Sequence, residues 1–360
     1  MKNYDGIALF SGGLDSILAA RLVMEQGLKV KCLHFFSPFF GHPGRLAHWS
    51  KEYGLDIDPV DVGDTFVELL KRGPAHGYGS AMNPCVDCKI VMMTRARELM
   101  QEYGAKFIIS GEVLGQRPMS QRRDTLNAIR RDAGVRETLL RPLSAKLMDP
   151  TPMEESGLVD REKLKAFNGR GRKDQLALAE HFGITEIPTP GGGCKLTEKE
   201  NTRRFWPVLS RLALPTANDF RLADTGRQFW MGDFWLAVGR HKYDNEIYAD
   251  LQRPDDLHFK IAGFPGPIAI GRSSREWDNE AVQKAAALVA SYSPKAVKAG
   301  EEGQSVGVRV TQNGQQSIVY ITPSRESDFA EPTWEAARDE LYALRKPAKK
   351  TEEQAEAGLE

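Results

Sequence analysis

The sequence predicts an α/β protein, with a doubly wound, mainly parallel sheet followed by a second, smaller α+β domain. Three observations carry that prediction. Short apolar runs alternate with helix-period segments over the first two hundred residues, the pattern of a parallel sheet wrapped by helices. After Asn201 the texture changes to stretches rich in glycine and aromatic residues. An Asn-Gly pair then separates two strand-like runs, which signals a hairpin rather than a crossover unit.

The first domain, residues 1–200, opens with 6–10 (GIALF) as a strand. Apolar residues at helical spacing follow over 17–27, ending on Gly27, which suits a helix C-cap. Residues 28–36, 55–62 and 105–110 read as further strands, with helices at 64–72 and 90–103. In the second domain, residues 218–325, short strands are expected at 234–238 and 267–270, and an amphipathic helix at 280–293. The hairpin runs from 306–311 through Gln312-Asn313-Gly314 to 317–322. Residues 346–360, rich in Lys, Glu and Ala, have little to bury and are expected to form a flexible charged tail.

The chain has 360 residues and a formal net charge of +0, so overall charge points to no polyanion partner. Any nucleic-acid surface must come from local segregation of charge. No apolar run approaches bilayer length, and the N-terminus enters a strand with no cleavable signal, so no membrane partner is expected and the cytoplasm is the expected compartment. Four cysteines do not make a secreted disulfide scaffold; in a reducing compartment they suit metal binding or chemistry.

Ser11-Gly12-Gly13-Leu14-Asp15-Ser16 lies between the first strand and the first helix. Glycines let backbone approach a phosphate, and a helix N-terminus adds N–H donors and a positive dipole. Asp15 is placed to hold Mg2+. No lysine follows the glycines, which separates this loop from that of kinases and GTPases. Cys85 and Cys88 fall in Asn83-Pro84-Cys85-Val86-Asp87-Cys88-Lys89, just ahead of the expected helix, and Cys194 falls in a glycine loop at 190–195. Three thiolates can hold a [4Fe-4S] cluster and leave one iron open. The same three can work as a persulfide or thiol–disulfide set with Cys194 as nucleophile, hold zinc with a fourth ligand, or simply be buried. Cys32 sits in a strand's apolar run and is expected in the core.

Gly111-Glu112-Val113-Leu114-Gly115-Gln116 follows the fourth strand, and loops at strand carboxyl ends line the crevice of a doubly wound sheet. Downstream come Arg141-Pro142-Leu143-Ser144-Ala145-Lys146 and Gly169-Arg170-Gly171-Arg172-Lys173. SGGxDS resembles the signature of the PP-loop ATP pyrophosphatases, a HUP-like fold class that cleaves ATP between the α and β phosphates. Taken in order, SGGLDS, NPCVDCK, GEVLGQRPMSQ, RPLSAK, GRGRK and PGGGCKLT resemble the PP-loop tRNA thiolases, in particular the 4-thiouridine synthase-like proteins. The NPCxxC element is also similar to that of 2-thiouridine synthases.

The resemblance covers roughly residues 1–200. It implies ATP and Mg2+ at Ser11, Gly12, Gly13, Asp15 and Ser16, with Gly111 and Glu112 near the nucleotide. It further implies sulfur handling at Cys85, Cys88 and Cys194, with Asp15 counted among the catalytic residues. The implied partners are tRNA and a sulfur donor, either sulfide or a cysteine desulfurase, with a homodimer as the candidate assembly. The better-known 4-thiouridine synthases carry an N-terminal RNA-capture module and often a C-terminal rhodanese-type domain; neither is visible here, which favours the cluster route.

The second domain resembles an NFACT-R type RNA-binding domain through Gly232 to Arg240, Asn245-Glu246, Pro254 to Lys260 and Ile270-Gly271-Arg272. Exposed Arg240, Lys242, Lys260 and Arg272 beside aromatics would suit phosphate contact and base stacking, although Trp230, Phe234 and Trp235 are expected to fill a core. Arg122, Arg123, Arg130, Arg131 and Arg136 recur with few carboxylates between them, a second candidate RNA face. The function expected is ATP-dependent thiolation of a tRNA uridine through an O-adenylated base. The alternatives are an amidotransferase-type adenylating enzyme and a non-catalytic RNA-binding adaptor.

Overall fold

The computed structural model describes residues 3–189 and 193–345, and the chain divides into two compact units, Met1–Lys195 and Leu196–Glu360. The expected charged tail and the Pro190-Gly191-Gly192 part of the cysteine loop lie outside the described residues.

The first unit runs β1 (Gly6–Leu9), α1 (Leu14–Met24), β2 (Val30–Phe36), α2 (Leu46–Tyr53), β3 (Asp56–Asp61), α3 (Gly63–Arg72), α4 (Cys85–Tyr103) and β4 (Phe107–Ser110). It continues with α5 (Arg123–Asp132), β5 (Leu139–Leu140), α6 (Pro152–Glu155) and α7 (Lys173–His181). The five strands are all parallel, in the order β3-β2-β1-β4-β5. Period-2 alternation sends side chains to both faces. Ala8, Phe107 and Ile109 pack with Ile17, Leu18 and Leu22 of α1 on one face. Ile7, Leu9 and Ile108 pack with Met93, Ala96 and Leu99 of α4 on the other. Both faces being covered, the strands read as unbroken apolar runs, and Cys32 lies fully buried among them with its thiol pKa pushed up to about 12 by burial.

The strand order reverses between β1, which leads to β2 and β3, and β4, which lies on its other side. Ligands of open α/β sheets bind at such a switch point, beyond the strand carboxyl ends. The loops after β1 and β4 flank it here.

The second unit runs α8 (Lys199–Arg211), α9 (Ala217–Asp224), β6 (Arg227–Met231), β7 (Phe234–Val238), α10 (Lys242–Leu251), β8 (Leu257–Ile261) and β9 (Ile268–Arg272). It ends with α11 (Asn279–Ala290), α12 (Pro294–Glu301), β10 (Val306–Gln312), β11 (Gln315–Ile321) and α13 (Trp334–Arg345). Its six strands form one antiparallel sheet, β11-β10-β8-β9-β7-β6. The hairpin is tighter than expected: Gln312 pairs with Gln315, and Asn313 and Gly314 take φ of +51° and +78°. Two positive φ values match the twist of the flanking strands. Among the described residues no helix is long and apolar enough to cross a membrane.

Candidate functional site at the switch point

The Ser11–Ser16 loop closes on itself through its serines. Ser16 Oγ donates to Gly13 O at 2.7 Å and accepts from Ser11 N–H at 3.3 Å, while Gly13 N–H donates to Ser11 Oγ at 3.3 Å. No side chain caps α1, so its first turn presents N–H groups and its positive dipole end to the cleft. Gly12 sits at φ +78°, and a Cβ there would lie 2.6 Å from the Trp49 ring. Gly111, just past β4, rests against the same turn: a Cβ on it would lie 2.6 Å from Asp15 O and 2.8 Å from Ser16 Cα. Backbone from two strand ends thus meets at van der Waals contact.

Asp15 points toward the loop that follows β4. Gln116 Nε2 donates to Asp15 Oδ2 at 3.1 Å. Burial raises the Asp15 pKa above the usual carboxylate range, and Gln116, Arg172, Gln175 and Arg117 oppose that shift without cancelling it. The loops at 111–121 and 169–175 therefore both reach the phosphate loop. They are tied together as well: Leu114 N–H donates to Ser144 Oγ at 3.0 Å, Ser144 Oγ donates to Phe167 O at 2.7 Å, and Gly169 N–H donates to Leu114 O at 2.8 Å.

Glu112 is fully enclosed and forms an ion pair with Arg141, Nε to Oε2 at 2.9 Å, with both side chains buried. Burial alone would raise the Glu112 pKa; the Arg141 charge, with Lys89, outweighs it and holds the carboxyl below its ordinary value. Arg141 is therefore no surface charge. Lys89 Nζ stands 4.0 Å from Glu112 Oε1, and that oxygen accepts no hydrogen bond.

Lys89 belongs to α4, which begins at Cys85 itself, five residues earlier than its expected start at residue 90. The cysteine pair thus occupies the helix's first turn instead of a loop ahead of it. Asn83 Nδ2 donates to Cys85 Sγ at 3.1 Å, and Cys88 N–H donates to Pro84 O at 2.7 Å. Buried Asp87 accepts from the N–H groups of Ala75 and His76 at 2.9 and 3.0 Å, pinning the preceding loop to the helix. Burial pushes the Cys88 thiol far up; nearby Cys194 and Cys85 push it further, and Lys89 opposes them. Cys194 thus approaches the Cys85–Cys88 turn from a segment more than a hundred residues away. The Cys194 segment is held beside the loop after β2, where Lys195 N–H donates to Phe39 O at 2.8 Å. In kind and number the three thiols suit a [4Fe-4S] cluster with one open iron. Among the described residues, however, no three His, Cys, Asp or Glu side chains stand where they could share a metal ion.

Among the expected RNA-contacting cations, Arg122, Arg123, Arg240, Lys242 and Lys260 are exposed. Arg272 is a correction: it is buried, bonded to Asp256 at 2.7 and 2.8 Å and to Asp219 at 2.7 Å, and serves as the ionic hub of the second unit. Its place in β9, facing the N-terminus of α9, turns the guanidinium inward. Trp230, Phe234 and Trp235 are buried. Within the basic run near α5, Arg122 stands beside Asp124 at 3.4 Å and Arg131 beside Asp132 at 2.6 Å. Sequence reasoning named no role for Gln116, Lys89, Arg172 or Gln175. The first three lie inside quoted motifs, which was the available signal; Gln175 carried none.

Residues 2–147 match the model of a family described as ThiI, thiamine biosynthesis protein. A probable tRNA sulfurtransferase of Lysinibacillus sphaericus is 29% identical over 148 residues, covering 39% of this chain and 35% of the relative. One from Thermococcus kodakarensis is 32% identical over 115 residues, with 31% and 30% covered. One from Methanothermobacter thermautotrophicus is 31% identical over 199 residues, with 52% and 43% covered. The chain thus spans less than half the length of these relatives. The crystal structure of a 4-thiouridine synthetase–RNA complex with bound ATP aligns over 51% of this chain and 42% of its own at 19% identity and a TM-score of 0.37. The C-terminal part of the fibronectin/fibrinogen-binding protein of Streptococcus suis aligns over 67% and 96% at 15% identity and a TM-score of 0.25. The parallel sheet and the SGGLDS loop at its switch point agree with that match, so residues 2–147 of this chain are similar in sequence pattern and fold to the ThiI family.

Proposed function

We propose that this chain uses ATP to adenylate a uridine carbonyl oxygen in tRNA and then replaces that oxygen with sulfur. One observation carries the reading. Cys88 interacts with both Cys85 and Cys194, and its neighbour Lys89 reaches Glu112, whose neighbour Gly111 rests on Asp15 of the phosphate loop. This chain of neighbours supports thiol chemistry beside phosphate binding.

In this reading the triphosphate lies on the first turn of α1, with Arg117 and Arg172 facing the added charge. A Mg2+ ion would take Asp15 and phosphate oxygens, and would neutralise the developing pyrophosphate. The uridine oxygen attacks the α-phosphorus and pyrophosphate leaves. A persulfide on one cysteine then attacks the activated ring carbon, and AMP departs with the former carbonyl oxygen. A second thiolate cleaves the S–S bond, leaving the thiocarbonyl on the base and a disulfide on the protein. Two routes reset the cysteines: hydrosulfide attacks the disulfide, giving a persulfide on one cysteine and a free thiol on the other, or a thiol reductant reduces the disulfide and a cysteine desulfurase passes its sulfane sulfur to one thiol. The approach of Cys194 to the Cys85–Cys88 turn, without a metal-sharing arrangement among the described residues, supports the thiol route. Arg122, Arg123, Arg240, Lys242 and Lys260 are the cations available to the tRNA backbone.

The test incubates the protein anaerobically with ATP, tRNA, a thiol reductant and a cysteine desulfurase with cysteine, and follows pyrophosphate release and tRNA nucleosides by mass spectrometry. Thiouridine is expected, and Cys194→Ser should retain pyrophosphate release while losing it. Absence of pyrophosphate release would support a binding adaptor; release with amide formation would support an amidotransferase. An absorbance band near ~400 nm that is lost in Cys194→Ser would return the chemistry to a cluster.

A further inference from the structure

The six-stranded sheet of the second unit has two edge strands, β6 and β11. One of them is covered: Trp230 N–H of β6 donates to Ala330 O at 2.9 Å, and Ala330 N–H donates back to Trp230 O at 3.0 Å. Among the described residues β11 has a neighbour on one side only. It is seven residues long, Gln-Gln-Ser-Ile-Val-Tyr-Ile, with no charge and no proline, and its register with β10 runs unbroken from Gln315 to Ile321. Natural sheets blunt an edge with charges, proline, a bulge or a very short strand, because unpaired backbone recruits another strand. None of these devices is present on β11. Ile318 and Tyr320 are moreover 49% and 69% exposed, leaning over Gly307 of β10.

The turn decides which backbone groups are open. Gln312 and Gln315 close a two-residue hairpin and so form a hydrogen-bonded pair, and such pairs recur at every second residue. Ala262 N–H donates to Gly307 O at 2.8 Å, so Gly307 faces β8 while Val306 and Val308 face β11. Gln315, Ser317, Val319 and Ile321 therefore give their backbone groups to β10. Gln316, Ile318 and Tyr320 turn N–H and C=O out of the sheet edge, and among the described residues these groups have no other backbone partner.

We propose that a second copy of this chain pairs there, β11 against β11, about a two-fold axis at Ile318. The open set is symmetric about that residue. An antiparallel copy puts Ile318 opposite the partner's Ile318, Gln316 opposite the partner's Tyr320, and Tyr320 opposite the partner's Gln316. Each of these three pairs exchanges two N–H···O bonds, about six in all. A slip of one residue sets outward groups against inward ones, and a slip of two loses a pair. The side chains agree, since Ile318 meets its own copy and no charge lies in the strand. Arg309, beside Ile318 on β10, would stand three strand spacings from its own copy, ~14 Å, beyond the ~8 Å screening length at physiological salt. The formal net charge of +0 adds no overall repulsion between copies. A strand from another protein would meet the same backbone groups, but only the copy matches all three outward residues by symmetry.

The experiment is sedimentation equilibrium of the full chain from micromolar to near-millimolar concentration, with a dimer expected. Ile318→Asp sets two carboxylates opposite each other on the axis and should leave a monomer. Ile318→Pro removes one outward N–H per copy, which β10 does not use, and should weaken dimerisation about 5- to 150-fold, two hydrogen bonds' worth. Melting curves check that both variants are folded, and cysteine substitution tests the register without disturbing the strand. Under mild oxidation Ile318→Cys should link to its copy, because the two Cα atoms stand about 5.5 Å apart, within disulfide range. Gln316→Cys, roughly 14 Å from its own counterpart, should give no dimer band beyond that of the wild type. A wild-type chain that stays monomeric, a dimer unchanged by Ile318→Asp, or a Gln316→Cys link as strong as that of Ile318→Cys overturns the proposal. The pairing is independent of the thiolation reading: thiouridine made by a monomeric chain would refute the pairing alone, and a dimer that makes none would refute only the thiolation.

Discussion

Replacing Gly111 by Ala is the sharpest test of how the cleft is built. The added methyl would lie 2.6 Å from Asp15 O, 2.7 Å from Asp15 C and 2.8 Å from Ser16 Cα, all backbone atoms of the first turn of α1. Ordinary contact begins near 3.4 Å, so the helix start or the end of β4 must yield by roughly 0.6–0.8 Å. No flexible side chain can absorb that. Overpacking of this kind costs about 1–3 kcal/mol. The displaced element is also the one that presents Asp15 and the phosphate-facing N–H groups, and an error of about 1 Å in a positioned group can cost ~100-fold in rate. Gly111→Ala should therefore unfold earlier in urea and release pyrophosphate about 100-fold more slowly with ATP and tRNA. Gly44→Ala is the control, because a Cβ there meets nothing within 4 Å. A Gly111→Ala protein with the wild-type midpoint and wild-type rate would refute the packing argument.

Glu112→Gln leaves Arg141 buried without its counter-charge and should cost about 3–5 kcal/mol at neutral pH, measured by urea unfolding. Because the folded Glu112 pKa is depressed, that contribution is complete above the ordinary glutamate value of about 4.3 and fades as pH falls below it, so the gap between variant and wild type should narrow in acid. Asp15 has the opposite sign: its raised pKa means that ionisation opposes folding once pH rises above the ordinary aspartate value. Asp15→Asn should thus melt slightly higher at neutral pH while losing pyrophosphate release. Arg272→Met leaves buried Asp256 without its cation and Asp219 with Arg253 alone, and should destabilise the second unit by about 3–5 kcal/mol in urea unfolding. Gly314→Ala, at φ +78°, should cost about 1–2 kcal/mol in thermal unfolding.

The parallel sheet was legible because its strands are buried on both faces and read as apolar runs between helical stretches. The hairpin was legible because Asn-Gly supplies two positive φ values in a row. Shorter elements were not: β5 has only two residues, and α2, LAHWSKEY, carries its apolar stripe of Leu46, Trp49 and Tyr53 over barely two turns. Its Trp49 nevertheless closes over Gly12. The early start of α4 was hidden because a cysteine pair after a proline reads as a loop. The Glu112–Arg141 and Arg272–Asp219 pairs join positions far apart in the chain, and spacing alone cannot tell a buried arginine from a solvated one. The phosphate loop was clear as a motif, while the groups around Asp15 emerged only once three separate loops met.

Strand β1 lies between β2 and β4, so Gly6 faces both Val30 and Phe107. During synthesis the phosphate loop leaves the ribosome early, but the wall that completes its pocket arrives some hundred residues later. Until β4 docks, Gly111 cannot lean on Asp15, and a nascent chain holds only half a pocket. A nucleotide that binds the finished cleft therefore rewards docking of β4 beside β1, and its capture reports that the first unit has folded at least that far.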